Sequence, residues 1–157
     1  MKIRDQVVMI LATGFYTGKA PVAPGTFGSL PGLLLCWAIS GISVAVTLIV
    51  VFGLIGMAVW VADQAERLLD SKDPGCIVID EIAGMLVTLV GIPFAWHTAL
   101  SGFVVFRVLD ITKPFPIRAL ERRLKGGVGV VADDVAAGLI GNLVLRMGYA
   151  VIGNGFI

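Results

Sequence analysis

Between Lys19 and Asp63 lie 43 consecutive residues without Asp, Glu, Lys or Arg, and between Glu81 and Arg107 lie 25 more. Crossing a bilayer takes about 20 predominantly apolar residues, so the first stretch alone is long enough for two passages. The chain has 157 residues, 57% of them hydrophobic and 15% charged. A soluble domain of this size has too little interior to bury that much apolar surface. The expected class is all-α: a polytopic bundle of four to five membrane helices, with short helical hairpins and an N-terminal interfacial helix, forming one domain over 1–157.

Eleven of the twelve Lys and Arg residues fall in three clusters. Lys2, Arg4 and Lys19 form the first, Arg67 and Lys72 the second. Arg107, Lys113, Arg118, Arg122, Arg123 and Lys125 form the third, and Arg146 stands apart in the last apolar run. Breakers divide what lies between. Residues 7–16 follow Lys2 and Arg4 and read as a retained amphipathic helix rather than a cleaved leader. Pro21, Pro24, Gly25, Gly28, Pro31 and Gly32 predict a turn-rich segment without a helix interior. Apolar residues 33–40 meet a turn at 41–43, a membrane-length run follows at 44–62, and 63–74 is polar.

Residues 77–107 decide the topology. Gly91-Ile92-Pro93 interrupts them, and a proline inside a helix costs about 3 kcal/mol, so a hairpin of two helices over 77–90 and 96–113 is expected. At 1.5 Å per residue these reach about 20–27 Å, short but workable in a locally thinned bilayer. A last helix is expected over 131–152, beginning near Asp133-Asp134. All three basic clusters then share one side, and the turns opposite carry no Lys or Arg. That asymmetry places the clusters in the cytoplasm. A multi-pass chain with its charged end on the cytoplasmic side is expected.

Carboxylates beside apolar helices are expensive and imply a partner or a function. Asp80-Glu81, Asp110 and Asp133-Asp134 would converge from three helices at one membrane level. Hard oxygen ligands of this kind suit Mg²⁺, which retains several waters and is held by carboxylates together with substrate phosphate. Asp133-Asp134 has an alternative reading as a helix cap. Arg107, Asp110 and Lys113 share one helical face, either as a simple salt bridge or as part of an anion site. Arg118, Arg122 and Arg123 add more positive charge than nearby acids require, which reads as a head-group site or as a topology signal. Pro24-Gly25-Thr26-Phe27-Gly28-Ser29 offers backbone N–H groups and the Thr26 and Ser29 hydroxyls, a further phosphate-binding candidate. Gly126-Gly127-Val128-Gly129 reads as a loop.

Counting excludes several phosphatase chemistries. His97 is the sole histidine and lies near the far turn, neither Cys36 nor Cys76 has an arginine six residues later, and there is no Asp-x-Asp pair. Attack by water or by a carboxylate, assisted by Mg²⁺, remains. A small transporter or channel component is the alternative, but it would need polar residues through the membrane depth. A head-group transferase would need a longer Asp-Gly…Ala-Arg…Asp…Asp signature.

Three blocks together resemble the phosphatidylglycerophosphatase A family, in its order and over nearly the whole chain. They are Ala23-Pro24-Gly25-Thr26-Phe27-Gly28-Ser29-Leu30; Asp73-Pro74 with Ile77-Val78-Ile79-Asp80-Glu81; and Phe106-Arg107-Val108-Leu109-Asp110-Ile111-Thr112-Lys113-Pro114-Phe115-Pro116-Ile117-Arg118. The last runs on through Gly126-Gly127-Val128-Gly129 to Asp133-Asp134 and Ala137-Gly138. Phe115 stands where the family pattern carries Trp. The resemblance implies a Mg²⁺-dependent phosphatase of the bacterial inner membrane, its active site facing the cytoplasm, acting on an anionic phospholipid in phosphatidylglycerol synthesis. It implies Asp80, Glu81, Asp110 and Asp134 as catalytic groups and Asp80, Glu81, Asp133 and Asp134 as metal ligands. Thr26, Ser29, Arg107, Lys113, Arg118 and Arg122 are the phosphate-binding candidates. A membrane and its lipids are the expected partners, not nucleic acid, and no oligomeric state follows.

Overall fold

A computed structural model describes residues 2–152, which form seven α-helices and, among the described residues, no strand. They are α1 (Ile3–Ala12), α2 (Pro24–Ala38), α3 (Val44–Leu69), α4 (Ile79–Leu89), α5 (Trp96–Thr112), α6 (Ile117–Arg123) and α7 (Gly126–Ile152).

α4, eleven residues long, holds the centre. Every residue of α4 except Glu81 is buried, enclosed by α2, α3, α5 and α7. Ala83 faces one apolar cluster with Ala58, Val61, Ala62 and Val131, while Met85, Leu86 and Phe106 face a second with Cys36, Ala137 and Leu145. A helix with neighbours all round must be apolar all round. That is why residues 82–89 lack the two-sided pattern of a surface helix.

Among the described residues two helices, α3 and α7, are long and apolar enough to cross a membrane. Only 17% of the apolar window of α3 is buried inside the protein, and Ile49, Phe52 and Trp60 point outward with exposures of 71%, 70% and 51%. In water such a face would drive aggregation; against lipid it carries no penalty. The seam between α4 and α5 falls at residues 90–95, and the one between α2 and α3 at 39–43, where the sequence places its turns.

Four expectations are corrected. First, the Pro/Gly-rich segment is helical: Pro24 opens α2, where its missing N–H costs nothing, and Pro31 lies inside. Packing outweighs the proline here. Gly25, Gly28, Ser29 and Gly32 are buried on one face, so α2 lies almost backbone-to-side-chain on the start of α4. Second, α7 begins at Gly126, so the Gly126–Gly129 segment is its first turn rather than a loop. A Cβ on Gly127 would overlap the Val59 carbonyl of α3, and only glycine permits that approach. Asp133 and Asp134 therefore sit two turns inside a helix, and the capping alternative is removed. Third, α3 continues past Asp63 to Leu69, helped by the Asp63–Arg67 pair at 2.9 Å. Fourth, α4 begins at Ile79 rather than at residue 77, so Asp80 and Glu81 fall in its first turn.

Arg146 also finds its place. With Asn142 it closes the far end of α4: the Asn142 amide donates to Thr88 and Val90 carbonyls at 2.9 Å each. Arg146 Nη2 donates to Val90 and Gly91 carbonyls at 3.0 and 3.2 Å, and its Nε to Asn142 Oδ1 at 2.7 Å. These carbonyls belong to a helix end that has no further turn to satisfy them.

Candidate active site

Four helix segments meet around a cavity of about 270 Å³: the start of α2, the start of α4, the end of α5 and the second turn of α7. Its walls include six carboxylates, from Asp73, Asp80, Glu81, Asp110, Asp133 and Asp134, against two cations, Arg107 and Lys113. The hairpin at 90–95 is what returns α5 to the level of Asp80-Glu81, as the sequence requires. The positive end of α4 lies beneath those two acids and favours their charge.

The basic residues are held by acids. Arg107 Nη1 donates to Asp110 Oδ2 at 2.5 Å, one helical turn away. Lys113 follows α5 with left-handed backbone, φ 43°, and its ammonium bridges Glu121 of α6 at 2.9 Å and Asp133 of α7 at 2.6 Å. Burial alone would lower its pKa, but hydrogen bonds and charge from Asp133 and Glu121 outweigh it and hold the group above the usual lysine range. Asp73, on the exposed cavity rim, is pushed upward by desolvation while Lys113 pulls it back. Water at the rim screens most of that shift.

Four of the carboxylates nevertheless keep a bare oxygen. Asp80 Oδ1, Glu81 Oε2, Asp133 Oδ1 and Asp134 Oδ2 are buried without a hydrogen-bond partner, as is Arg107 Nε. Buried carboxylate oxygens normally have partners, because an unpaired one costs several kcal/mol. One oxygen each from Asp80, Glu81 and Asp134 lies within 4.8 Å of the others, a spacing that a metal cation could bridge. The donor set is all hard oxygen, which fits a divalent cation of the Mg²⁺ type. The cation would relieve the crowding and answer the orphaned oxygens together.

Gly25 closes the opposite wall. A side chain there would overlap Glu81 Oε1 and stand 3.0 Å from both terminal nitrogens of Arg107. The glycine of the first sequence block is thus a spacer for the acids of the second and the arginine of the third.

Of the residues singled out from sequence, Asp80, Glu81, Arg107, Asp110, Lys113, Asp133 and Asp134 share this cavity. Thr26 and Ser29 do not line it. Ser29 is buried and its hydroxyl donates to the Gly25 carbonyl at 2.8 Å, inside α2. Arg118 and Arg122 are exposed on α6 and line a neighbouring groove. Glu121 and Asp73 are the acids that sequence reasoning missed as site residues. Asp73 was visible within the second block, whereas Glu121 pairs with Lys113 across a fold contact that no spacing reveals. His97 lies at the other end of α5, ten residues or about 15 Å from Arg107.

Comparison with known proteins finds relatives over most of the chain. The family model for phosphatidylglycerophosphatase A matches residues 10–149. A phosphatidylglycerophosphatase A of Escherichia coli (strain K12) is 38% identical over 132 residues, covering 83% of this chain and 77% of the relative. One of Haemophilus influenzae is 35% identical over 142 residues, covering 88% and 86%. A protein of Bacteroides thetaiotaomicron named as a candidate phosphatidylinositol-3-phosphatase is 32% identical over 170 residues, covering 98% of this chain and all of the relative. No solved structure matches the chain. The match spans all three blocks and every wall of the cavity, and the chain belongs to the phosphatidylglycerophosphatase A family.

Proposed function

We infer that this chain hydrolyses the terminal phosphomonoester of phosphatidylglycerophosphate, yielding phosphatidylglycerol and inorganic phosphate. Family membership supplies the reaction. The observation that carries the site assignment is the cavity itself, where six carboxylates outnumber two cations and four buried carboxylate oxygens lack partners. A phosphate dianion would be repelled by that wall unless cations came with it.

Mg²⁺ held by Asp80, Glu81 and Asp134, with Asp133 alongside, would supply that charge and polarise the phosphate oxygens. Arg107 and Lys113 are the chain's own phosphate-binding groups and stabilise charge gathered on the transferred phosphoryl oxygens. Asp110 fixes the Arg107 guanidinium, and the ion pairs to Asp133 and Glu121 hold Lys113 on the cavity wall. One of the catalytic acids, Asp80, Glu81, Asp110 or Asp134, takes the proton of the attacking water. The water oxygen bonds to phosphorus as the bond between phosphorus and the glycerol oxygen breaks, and the proton taken up by the acid passes to that oxygen, which leaves as the alcohol.

The bundle is read as a multi-pass protein of the bacterial inner membrane. α3 and α7 span it, and α2, α4 and α5 dip in as shorter members, making four to five membrane helices. α1 lies at the interface, and the site faces the cytoplasm. The basic clusters and the cavity share one end, while the turns at 41–43 and 91–98 carry no Lys or Arg. The channel alternative finds no support, because α4 beyond Glu81 carries no charge through its buried length.

Phosphate release from phosphatidylglycerophosphate by detergent-purified protein, with Mg²⁺ and then with a chelator, tests the reading. Release that stops on chelation and returns with Mg²⁺ is expected. A folded protein that releases none, or releases it equally in chelator, would overturn it.

A further inference from the structure

Outside the catalytic cavity, the densest unbalanced charge lies on α6 and the turn before it. Arg118, Arg122 and Arg123 carry no ion pair among the described residues, although Glu121 stands between them. Glu121 is committed to Lys113. With Thr112, Lys113 and Phe115, the arginines line an open groove of about 480 Å³. Arg118 Nη2 donates to the Thr112 carbonyl at 3.2 Å, which steadies the guanidinium across the groove floor. Phe115 is 87% exposed at its edge. A cationic floor beside a bare aromatic ring suits an amphiphile whose phosphate meets the arginines and whose glycerol backbone meets the ring.

Lys113 connects the two places, since it lines both the groove and the catalytic cavity. Two of its three ammonium donors are occupied by Glu121 and Asp133, and the third is open. Resting on the reading above, the substrate carries two phosphates: a phosphodiester on the diacylglycerol side of one glycerol and a phosphomonoester on the other. We infer that the α6 groove is a separate subsite for the substrate's phosphodiester, with Arg118 and Arg122 binding it while the monoester enters the carboxylate cavity beyond Lys113. The groove selects lipids carrying both groups, and it also holds the product, phosphatidylglycerol, by the diester that survives.

The test uses the full chain in neutral detergent micelles and the double substitution Arg118→Ala/Arg122→Ala. Both positions are exposed, so folding is not at risk, and the melting temperature checks it. Charge-assisted hydrogen bonds of this kind are each worth a factor of about ten or more. KM for phosphatidylglycerophosphate is expected to rise at least tenfold while kcat falls less than twofold. The inhibition constant of phosphatidylglycerol should rise by the same factor, and that of inorganic phosphate, which needs only the cavity, should stay put. An equal rise for inorganic phosphate would place the arginines at the reacting phosphate and overturn the separate subsite. An unchanged KM would overturn it as well.

A second readout needs no turnover. Phosphatidylglycerol should raise the melting temperature of the wild type over phosphatidylcholine, and the double variant should lose most of that rise. If micelles doped with oleate to the same charge give the same arginine-dependent rise, the groove senses only a negative surface and the proposal fails. A wild type that does not hydrolyse phosphatidylglycerophosphate yet shows the diester-dependent shift would sink the proposed activity and leave the groove standing.

Discussion

Gly25→Ala puts a single methyl group between the catalytic acids and their arginine. Ordinary contact begins at 3.4 Å, whereas the new Cβ would lie 3.0 Å from both Arg107 terminal nitrogens and closer still to Glu81 Oε1. The guanidinium must retreat by a few tenths of an ångström and the Glu81 carboxylate by on the order of an ångström to restore normal contact. Both are tips of flexible side chains, so the fold yields easily. Gly25 is the second residue of α2, so alanine there gains less than the roughly 1 kcal/mol it would gain in a helix interior. Stability should therefore change by less than about 1 kcal/mol. Activity should not be spared, since a displacement of about 1 Å in a positioned group can cost 10²-fold, or about 2.7 kcal/mol of transition-state stabilisation. Steady-state turnover across a Mg²⁺ titration reads this directly. kcat/KM should fall about a hundredfold, with more Mg²⁺ needed for half-maximal rate, while the melting temperature stays near wild type. Gly28→Ala, three residues on, is the control: its Cβ would overlap Val78 Cβ, which is rooted in the backbone, so it should cost about 1–3 kcal/mol of stability. A Gly25→Ala enzyme with wild-type rate and Mg²⁺ dependence would refute the close approach of α2 to Glu81.

Two further substitutions separate the ends of α4. Asp80→Asn removes one of the three clustered carboxylates at almost constant volume. Turnover should be lost while the protein stays folded in the membrane. The thermal stabilisation that Mg²⁺ gives the wild type, about 2.7 kcal/mol at a hundred times its dissociation constant, should disappear with it. Retained turnover would remove Asp80 from the site. Arg146→Ala breaks the hydrogen bonds to Asn142, Val90 and Gly91, and about 1–3 kcal/mol of stability should go with them. The effect should appear as a lower melting temperature with turnover per folded molecule intact, because the eleven-residue helix puts Arg146 about 16 Å from Asp80. A large loss of kcat without loss of stability would contradict a purely structural role.

The sequence by itself determined the membrane class, the two hairpin turns and the set of charges that must meet. Charge-free runs and the breaks at Gly41-Ile42-Ser43 and Gly91-Ile92-Pro93 act locally, through the cost of burying charge in lipid and, at the second break, of continuing a helix through proline, so they can be read without a fold. The Arg107–Asp110 contact was legible for the same reason, being fixed by helical spacing alone. What needed tertiary structure was everything that packing decides against local preference. α2 is a helix despite Pro31 because its glycine face fits α4, and α7 starts at Gly126 because Gly127 fits against the α3 backbone. Glu121 reaches Lys113, and Gly25 becomes the wall behind Glu81, only once distant segments are brought together. Such contacts are set by the shapes of surfaces far apart in the chain. No propensity or spacing within one segment carries that information, and so the residues that bear charge could be named from sequence while the glycine and the acid that position them could not.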